Sequence, residues 1–207
     1  MESGDFISCL VSQNLQSMKN IGVLVSGSGT NLQRILDCID SGEIAGAKVS
    51  LVVADRECYG LQRAEKAGIE NHLIKRGKSF SEKLEKILPE NTDLIVLAGF
   101  LSILSNDFCE KYKGRIINIH PALLPKFGGF GMWGMNVHNA VIEAGETESG
   151  ATVHFVTSGI DDGEIILQGK VDVEENETPE TLAQKVHQVE YEIFPKAIDK
   201  ILKNKYS

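Results

Sequence analysis

The sequence predicts a doubly wound α/β protein: a mostly parallel sheet of about seven strands with helices on both faces. Three observations point there. Short apolar runs alternate with amphipathic stretches from residue 18 to about residue 119, the rhythm of strands and crossover helices. The runs at 21–25 and 94–98 are apolar throughout rather than alternating, so both of their faces are covered. A Gly/Ser turn, "SGSGT" at 26–30, separates the first run from the first helical pattern.

Taken in order, "MKNIGVLVSGSGTNLQRILDCI" reads as a strand, that turn and an amphipathic helix. The unit then repeats. Strands are expected near 48–54, 71–75, 93–98 and 115–119, and helices near 58–67, 79–88 and 103–112. A glycine-rich segment follows at 127–134, then a helix near 136–144 and a strand pair near 151–157 and 164–173. The acidic turn "EENETPE" leads into a closing helix near 179–201. This is a Rossmann-like arrangement without internal repeats or Pro/Ser-rich linkers, so 18–207 is expected to be one domain. The stretch 1–17 has neither the basic region nor the sustained apolar run of a secretory signal. It is expected to be a disordered extension, or one foreign to the native protein.

Composition narrows the function classes. A chain of 207 residues that is 42% hydrophobic suffices for one sizeable core. Its formal charge, 21 − 29 = −8, comes with no Lys/Arg-rich block, which argues against a nucleic-acid footprint and for a small polar ligand. The apolar runs fall far below the roughly 20 residues that span a bilayer. Cys9, Cys38, Cys58 and Cys109 show neither C-x-x-C nor zinc spacing. Idle thiols in a reducing, cytoplasmic compartment and no metal site are therefore expected.

Three motifs carry the chemistry. In "NIHPALLP" (118–125), Asn118 and His120 share one strand face, and Pro121, lacking an N–H, stops the strand just after them. Ligands of open α/β sheets bind at that carboxyl edge. A carboxamide beside an imidazole suits acyl transfer, the amide holding a developing oxyanion and the ring shuttling a proton. Capping of a strand end explains the same pair equally well. "SGSGT" exposes backbone N–H groups at a helix N-terminus, a phosphate cradle to which Thr30 and Asn31 add side-chain donors. It fits neither the dinucleotide fingerprint, since Leu32 stands where a small residue is needed, nor the Walker pattern. A tight turn without ligand is the alternative. In "GATVHFVTSGIDDGEIILQ", Thr152, His154 and Val156 share a strand face, and Asp161, Asp162 and Gly163 form a turn whose acid can approach Asn118 and His120, although an Asp-Asp-Gly turn taken alone is most often only a turn.

With "GVLVSGSGTNLQ", "LIVLAGFLSIL", "NIHPALLPKF" and "GATVHFVTSGIDDG" in this order, the chain from residue 18 onward resembles the folate-dependent formyltransferases. Within them it is most similar to the phosphoribosylglycinamide formyltransferases of purine biosynthesis. The resemblance implies a single formyltransferase domain that passes a formyl group from 10-formyltetrahydrofolate to the amine of glycinamide ribonucleotide. Asn118 and His120 would hold the tetrahedral oxyanion, with Asp161 orienting the histidine and a water. Gly29, Thr30 and Asn31 match the family's phosphate-binding loop, and Glu190 its nucleotide-contacting glutamate. Leu101, Ser102, Ile103 and Leu104, with Thr157, Ser158, Gly159 and Ile160, match the walls of its folate pocket. No metal, nucleic acid or membrane is implied, and the assembly would be a monomer or homodimer.

The chain departs from that pattern in places. The family commonly has Met-Arg where Leu101-Ser102 stands, and an arginine near the folate tail where Arg76, Gly77 and Lys78 offer no clear counterpart. Its Pro-Gly turn is replaced by "FGGFGMWGMNVH", with four glycines in 128–134. The glycines suggest a mobile cover, although a passive connection is the commoner role of such loops, and Trp133 is expected to be a packing anchor. Two enzyme families share the chemistry: methionyl-tRNA formyltransferases, which add a C-terminal domain, and formyltetrahydrofolate deformylases, which add an N-terminal regulatory one. A nucleotide-sensing module would keep the fold and the glycine turn, with little use for Asn118, His120 and Asp161 together.

Overall fold

The computed structural model describes residues 18–204; the extension at 1–17, with Cys9, lies outside them. Strands β1 (Lys19–Val25), β2 (Ala47–Ala54), β3 (Asn71–Leu73), β4 (Thr92–Leu97), β5 (Ile116–His120), β6 (Glu148–Phe155) and β7 (Ile165–Asp172) build one sheet. Its order is β3-β2-β1-β4-β5-β6-β7. The first five pair in parallel, whereas β5 with β6 and β6 with β7 are antiparallel. The helices are α1 (Thr30–Asp40), α2 (Tyr59–Lys66), α3 (Phe80–Ile87), α4 (Asn106–Lys111), α5 (Met135–Glu143) and α6 (Pro179–Asn204).

The pleat of β1 explains the two-sided covering. Ile21, Val23 and Val25 belong to one buried cluster, with Leu32 and Ile35 of α1 and Phe194 and Ile198 of α6. Leu24 points the other way, into a second cluster with Phe80 and Leu84 of α3 and Phe108 of α4. Strand β1 lies between β2 and β4, so the chain reverses its direction of winding there. The carboxyl ends of β1, β4 and β5 open onto that edge, where such sheets bind ligands.

Helix α4 begins at Asn106, three residues later than the sequence pattern suggests. The reason is local. Ser105 caps it, its Oγ accepting from the Phe108 N–H at 3.4 Å, while the Ser105 N–H donates to Ser81 Oγ at 2.8 Å. Residues 101–104 are thereby left as a loop. Cys38 is buried and donates to Glu43 Oε2 at 3.1 Å, and burial, then that hydrogen bond, pushes its thiol up to about 12. Such a thiol is inert.

The turn after β5 is fastened to β6 by one hydroxyl. Thr152 Oγ1 donates to the Ala122 carbonyl at 2.6 Å, accepts from the Leu124 N–H at 3.1 Å and accepts from Gln168 Nε2 at 2.9 Å. Thr152→Val keeps the shape and strands the buried Ala122 carbonyl and Leu124 N–H. We expect it to cost about 2–3 kcal/mol in urea unfolding; a loss below about 0.5 kcal/mol would mean that the turn is held otherwise.

Candidate active site

Strand register brings the polar residues together. In the β5–β6 pair Asn118 lies opposite His154, and His120 opposite Thr152. Asn118 Nδ2 is 3.2 Å from His154 Nε2, and His154 Nδ1 is 2.9 Å from the Phe155 carbonyl. A carbonyl only accepts, so Nδ1 carries the His154 proton and Nε2 accepts from the Asn118 amide. This fixes how the carboxamide is turned and leaves one of its hydrogens uncommitted.

The same logic applies to His120, which is only 3% exposed. Its Nε2 donates to the Phe127 carbonyl at 2.8 Å, so Nδ1 is the nitrogen left to gain or lose a proton. Asp161 Oδ2 lies 3.5 Å from that Nδ1, and Asp161 Oδ1 lies 3.6 Å from His154 Nε2. Backbone geometry aims this carboxylate: Asp161 has φ 54°, and the Gly129 N–H donates to its Oδ2 at 3.0 Å. Its exposed neighbour Asp162 accepts instead from Thr157 Oγ1. Of the two adjacent acids, only Asp161 meets the histidines.

Burial lowers the pKa of His120 below its ordinary value, and the Asp161 charge opposes part of that effect. For Asp161 burial acts upward, but its pKa falls below the ordinary value, the Gly129 N–H that donates to Oδ2 favouring the charged form. At neutral pH the cluster therefore pairs a carboxylate with an uncharged His120 imidazole.

The first turn of α1 lies nearby. Gly29 precedes it at φ 69°, no side chain caps it and no acid sits in it, so its N–H groups remain open to an anion. Gly29 is also fixed by packing, since a Cβ there would lie 2.7 Å from Gly60 Cα. A larger residue at Gly29 would thus disturb the fold as well as any phosphate. Asn31 differs from the sequence expectation. Its amide donates to Glu190 Oε2 at 3.1 Å rather than serving the turn, and His187 Nδ1 donates to the same oxygen at 2.8 Å. A carboxylate offers acceptors only, so Asn31 Nδ2 must face it.

A further wall mixes apolar and hydroxyl side chains. Leu101, Ser102, Ile103, Leu104, Thr157, Ser158, Gly159 and Ile160 all line one cavity with Gly29, Thr30, Asn31, Asn118, His120, Asp161 and Glu190. Its volume, about 1050 Å³, has room for two small ligands side by side. Ser102 Oγ donates to the buried carboxylate of Asp55 at 2.6 Å, which also holds Arg56 Nε and Arg76 Nη2 at 2.9 Å. Both arginines reach the cavity. Trp133 is not a packing anchor: it is 55% exposed and stands on the cavity rim.

The formyl transferase family model matches residues 19–198. The chain belongs to that family. The phosphoribosylglycinamide formyltransferase of Haemophilus influenzae is 42% identical over 87% of this chain and 86% of its own length. The trifunctional purine biosynthetic protein adenosine-3 of Drosophila pseudoobscura pseudoobscura is also 42% identical, but the match spans 14% of that protein. Among solved structures, the phosphoribosylglycinamide formyltransferase from Anaplasma phagocytophilum superposes with a TM-score of 0.81 at 35% identity, covering 90% of this chain and 88% of that one. The arrangement above falls within the residues that the family model matches.

Four side chains that line this cavity carried no signal in the sequence. The pairing of His154 with Asn118 had no local signal, because it depends on β6 lying antiparallel beside β5. Arg56 is drawn in by the buried Asp55, and nothing in a lone Asp-Arg pair signals that burial. His187 is legible only once Glu190, three residues on, is placed. His138 carries no local signal. Among the described residues no group of three or more His, Cys, Asp or Glu is placed to hold a metal ion, and no helix is long and apolar enough to cross a membrane.

The ionisation pattern is testable. The folded chain resists protonating His120 while the unfolded chain takes the proton at the ordinary value, so stability should fall as pH drops below about 6.5. An NMR titration should place the His120 midpoint below 6.5 in the wild type and lower still in Asp161→Asn, which loses the opposing charge. A midpoint at or above 6.5 in either protein would contradict the assignment.

Proposed function

We propose that this formyl transferase passes the formyl group of 10-formyltetrahydrofolate to the amine of 5-phosphoribosylglycinamide, a step of purine biosynthesis. The observation that carries it is the sharing of one cavity by the Asn118, His120 and Asp161 cluster, the uncapped turn of α1 and the exposed apolar side chains of Leu101, Ile103 and Ile160. The relatives from Haemophilus influenzae and Anaplasma phagocytophilum are named phosphoribosylglycinamide formyltransferases.

The nucleotide phosphate sits on the N–H groups of Gly29 to Asn31 with the Thr30 hydroxyl, and Glu190 accepts from the sugar hydroxyls. This points the amine at Asn118 and His120. The flat, partly apolar donor fits the side lined by Leu101 to Leu104 and Thr157 to Ile160, where Leu101, Ile103 and Ile160 are 43%, 70% and 43% exposed. A ligand that covers such side chains gains their desolvation. As the amine adds to the formyl carbon, the carbonyl oxygen gains negative charge, which the uncommitted N–H of Asn118 stabilises. His120 takes the proton of the attacking amine at Nδ1 and returns it to the folate nitrogen as the bond between that nitrogen and the formyl carbon breaks, and the Asp161 carboxylate stabilises the imidazolium formed in between.

The protein should consume 10-formyltetrahydrofolate only when the nucleotide is present; consumption without it would mark a deformylase, and none at all a binding module. His120→Ala should lower kcat roughly 10² to 10⁴-fold with substrate binding mostly retained. Asp161→Asn should cost about 10²-fold or more, whereas Asp162→Asn should stay within about tenfold, because only the former removes charge beside His120. The reverse order in steady-state rates would assign the wrong aspartate.

A further inference from the structure

Among the described residues the buried side-chain atoms without a hydrogen-bond partner are Asn31 Oδ1, His138 Nδ1, Ser149 Oγ and Asp199 Oδ1. Buried polar atoms are nearly always paired, so each exception calls for a cause. Asn31 and His138 differ from the other two in lining the cavity. Asn31 already spends its amide on Glu190. His138 is 5% exposed, and its buried Nδ1 has no partner.

A histidine in that state is costly to the protein alone. It sits on α5 beside the buried Val137, and Val141 one turn on is buried too, so an apolar residue would suit the packing better. The neighbours indicate what it is kept for. The Glu190 carboxylate and the His120 ring both act electrostatically on it, while burial, the larger effect, lowers its pKa and keeps it uncharged. A neutral imidazole offers one N–H and one lone pair.

We propose that His138 contacts the glycinamide arm of the nucleotide, within reach of both Glu190 at the sugar and His120 at the amine, and holds the amine in line for transfer. This role presupposes the transfer proposed above. The arm carries an amide C=O, an amide N–H and a terminal amine, so it complements either atom that a neutral ring presents. A base near the attacking nitrogen is already present in His120, and His138 acts by position rather than by taking the proton.

The test is nucleotide binding by calorimetry with no folate donor, on wild type and on His138→Phe, which keeps an aromatic ring and drops both nitrogens. Nucleotide affinity should fall roughly 10 to 100-fold. Donor affinity should stay within about twofold, and the thermal midpoint of the free protein should hold or rise, since an unpaired polar group has left a buried site. His138→Gln, which restores a donor and an acceptor, should bind the nucleotide more tightly than His138→Phe. If His138→Phe does not fold, His138→Ala replaces it with the same expectation for the two ligands. A folded variant that binds nucleotide within twofold of wild type overturns the contact, as does equal weakening of both ligands. A wild-type protein that binds no nucleotide overturns the proposed transfer as well.

Discussion

The antiparallel pairing of β5 with β6 is the constraint on which the site depends. A side chain on a strand changes faces with every residue, so a slip of one position would take Asn118 away from His154 and turn it toward the core. Two features prevent the slip. Ile117 and Ile119 are buried on the other face of β5, and Thr152, opposite His120, ties the following turn to β6 through Ala122 and Leu124. Pro121 then ends the strand, and the polar residues stay at the open edge.

Around that pair the backbone is held where few residues go. Among the described residues only Phe127 and Asp161 have positive φ without being glycine, at 55° and 54°. Both face His120: the Phe127 carbonyl accepts from Nε2, and the Asp161 carboxylate faces Nδ1. Conformations of this kind cost about 1–3 kcal/mol each and persist where the surroundings impose them. Here they surround one imidazole with an acceptor on each side. The Gly129 N–H joins the same carboxylate, so the glycine-rich loop and the turn after β6 are linked through the site itself.

Much of this was legible in the amino-acid order, and the parts that were not share a cause. Apolar runs gave the parallel strands, and the placing of Asn118 and His120 before Pro121 gave their common face, because both follow from local periodicity. Partners drawn from distant segments do not. His154 meets Asn118 across 36 positions, and the Asn31 amide turns to Glu190 across 159. In each case a residue read as serving its own segment is bound to another. Trp133 shows the converse error: an aromatic in a glycine-rich loop suggests an anchor, yet the loop presents it to solvent at the cavity rim. Helix α4 was misjudged by a turn because Ser105 could as well have continued the helix as capped it.

The claim on which the rest stands is that Asn118 and His154 act as one unit, the imidazole turning the carboxamide toward the reacting oxygen. A double-mutant cycle on kcat with Asn118→Ala, His154→Ala and the pair measures this directly. If the histidine acts through the amide, His154→Ala slows the wild type but adds little once Asn118 is gone, and the double mutant matches Asn118→Ala within about threefold. Strictly multiplicative losses in the double mutant would show two independent residues and contradict the account.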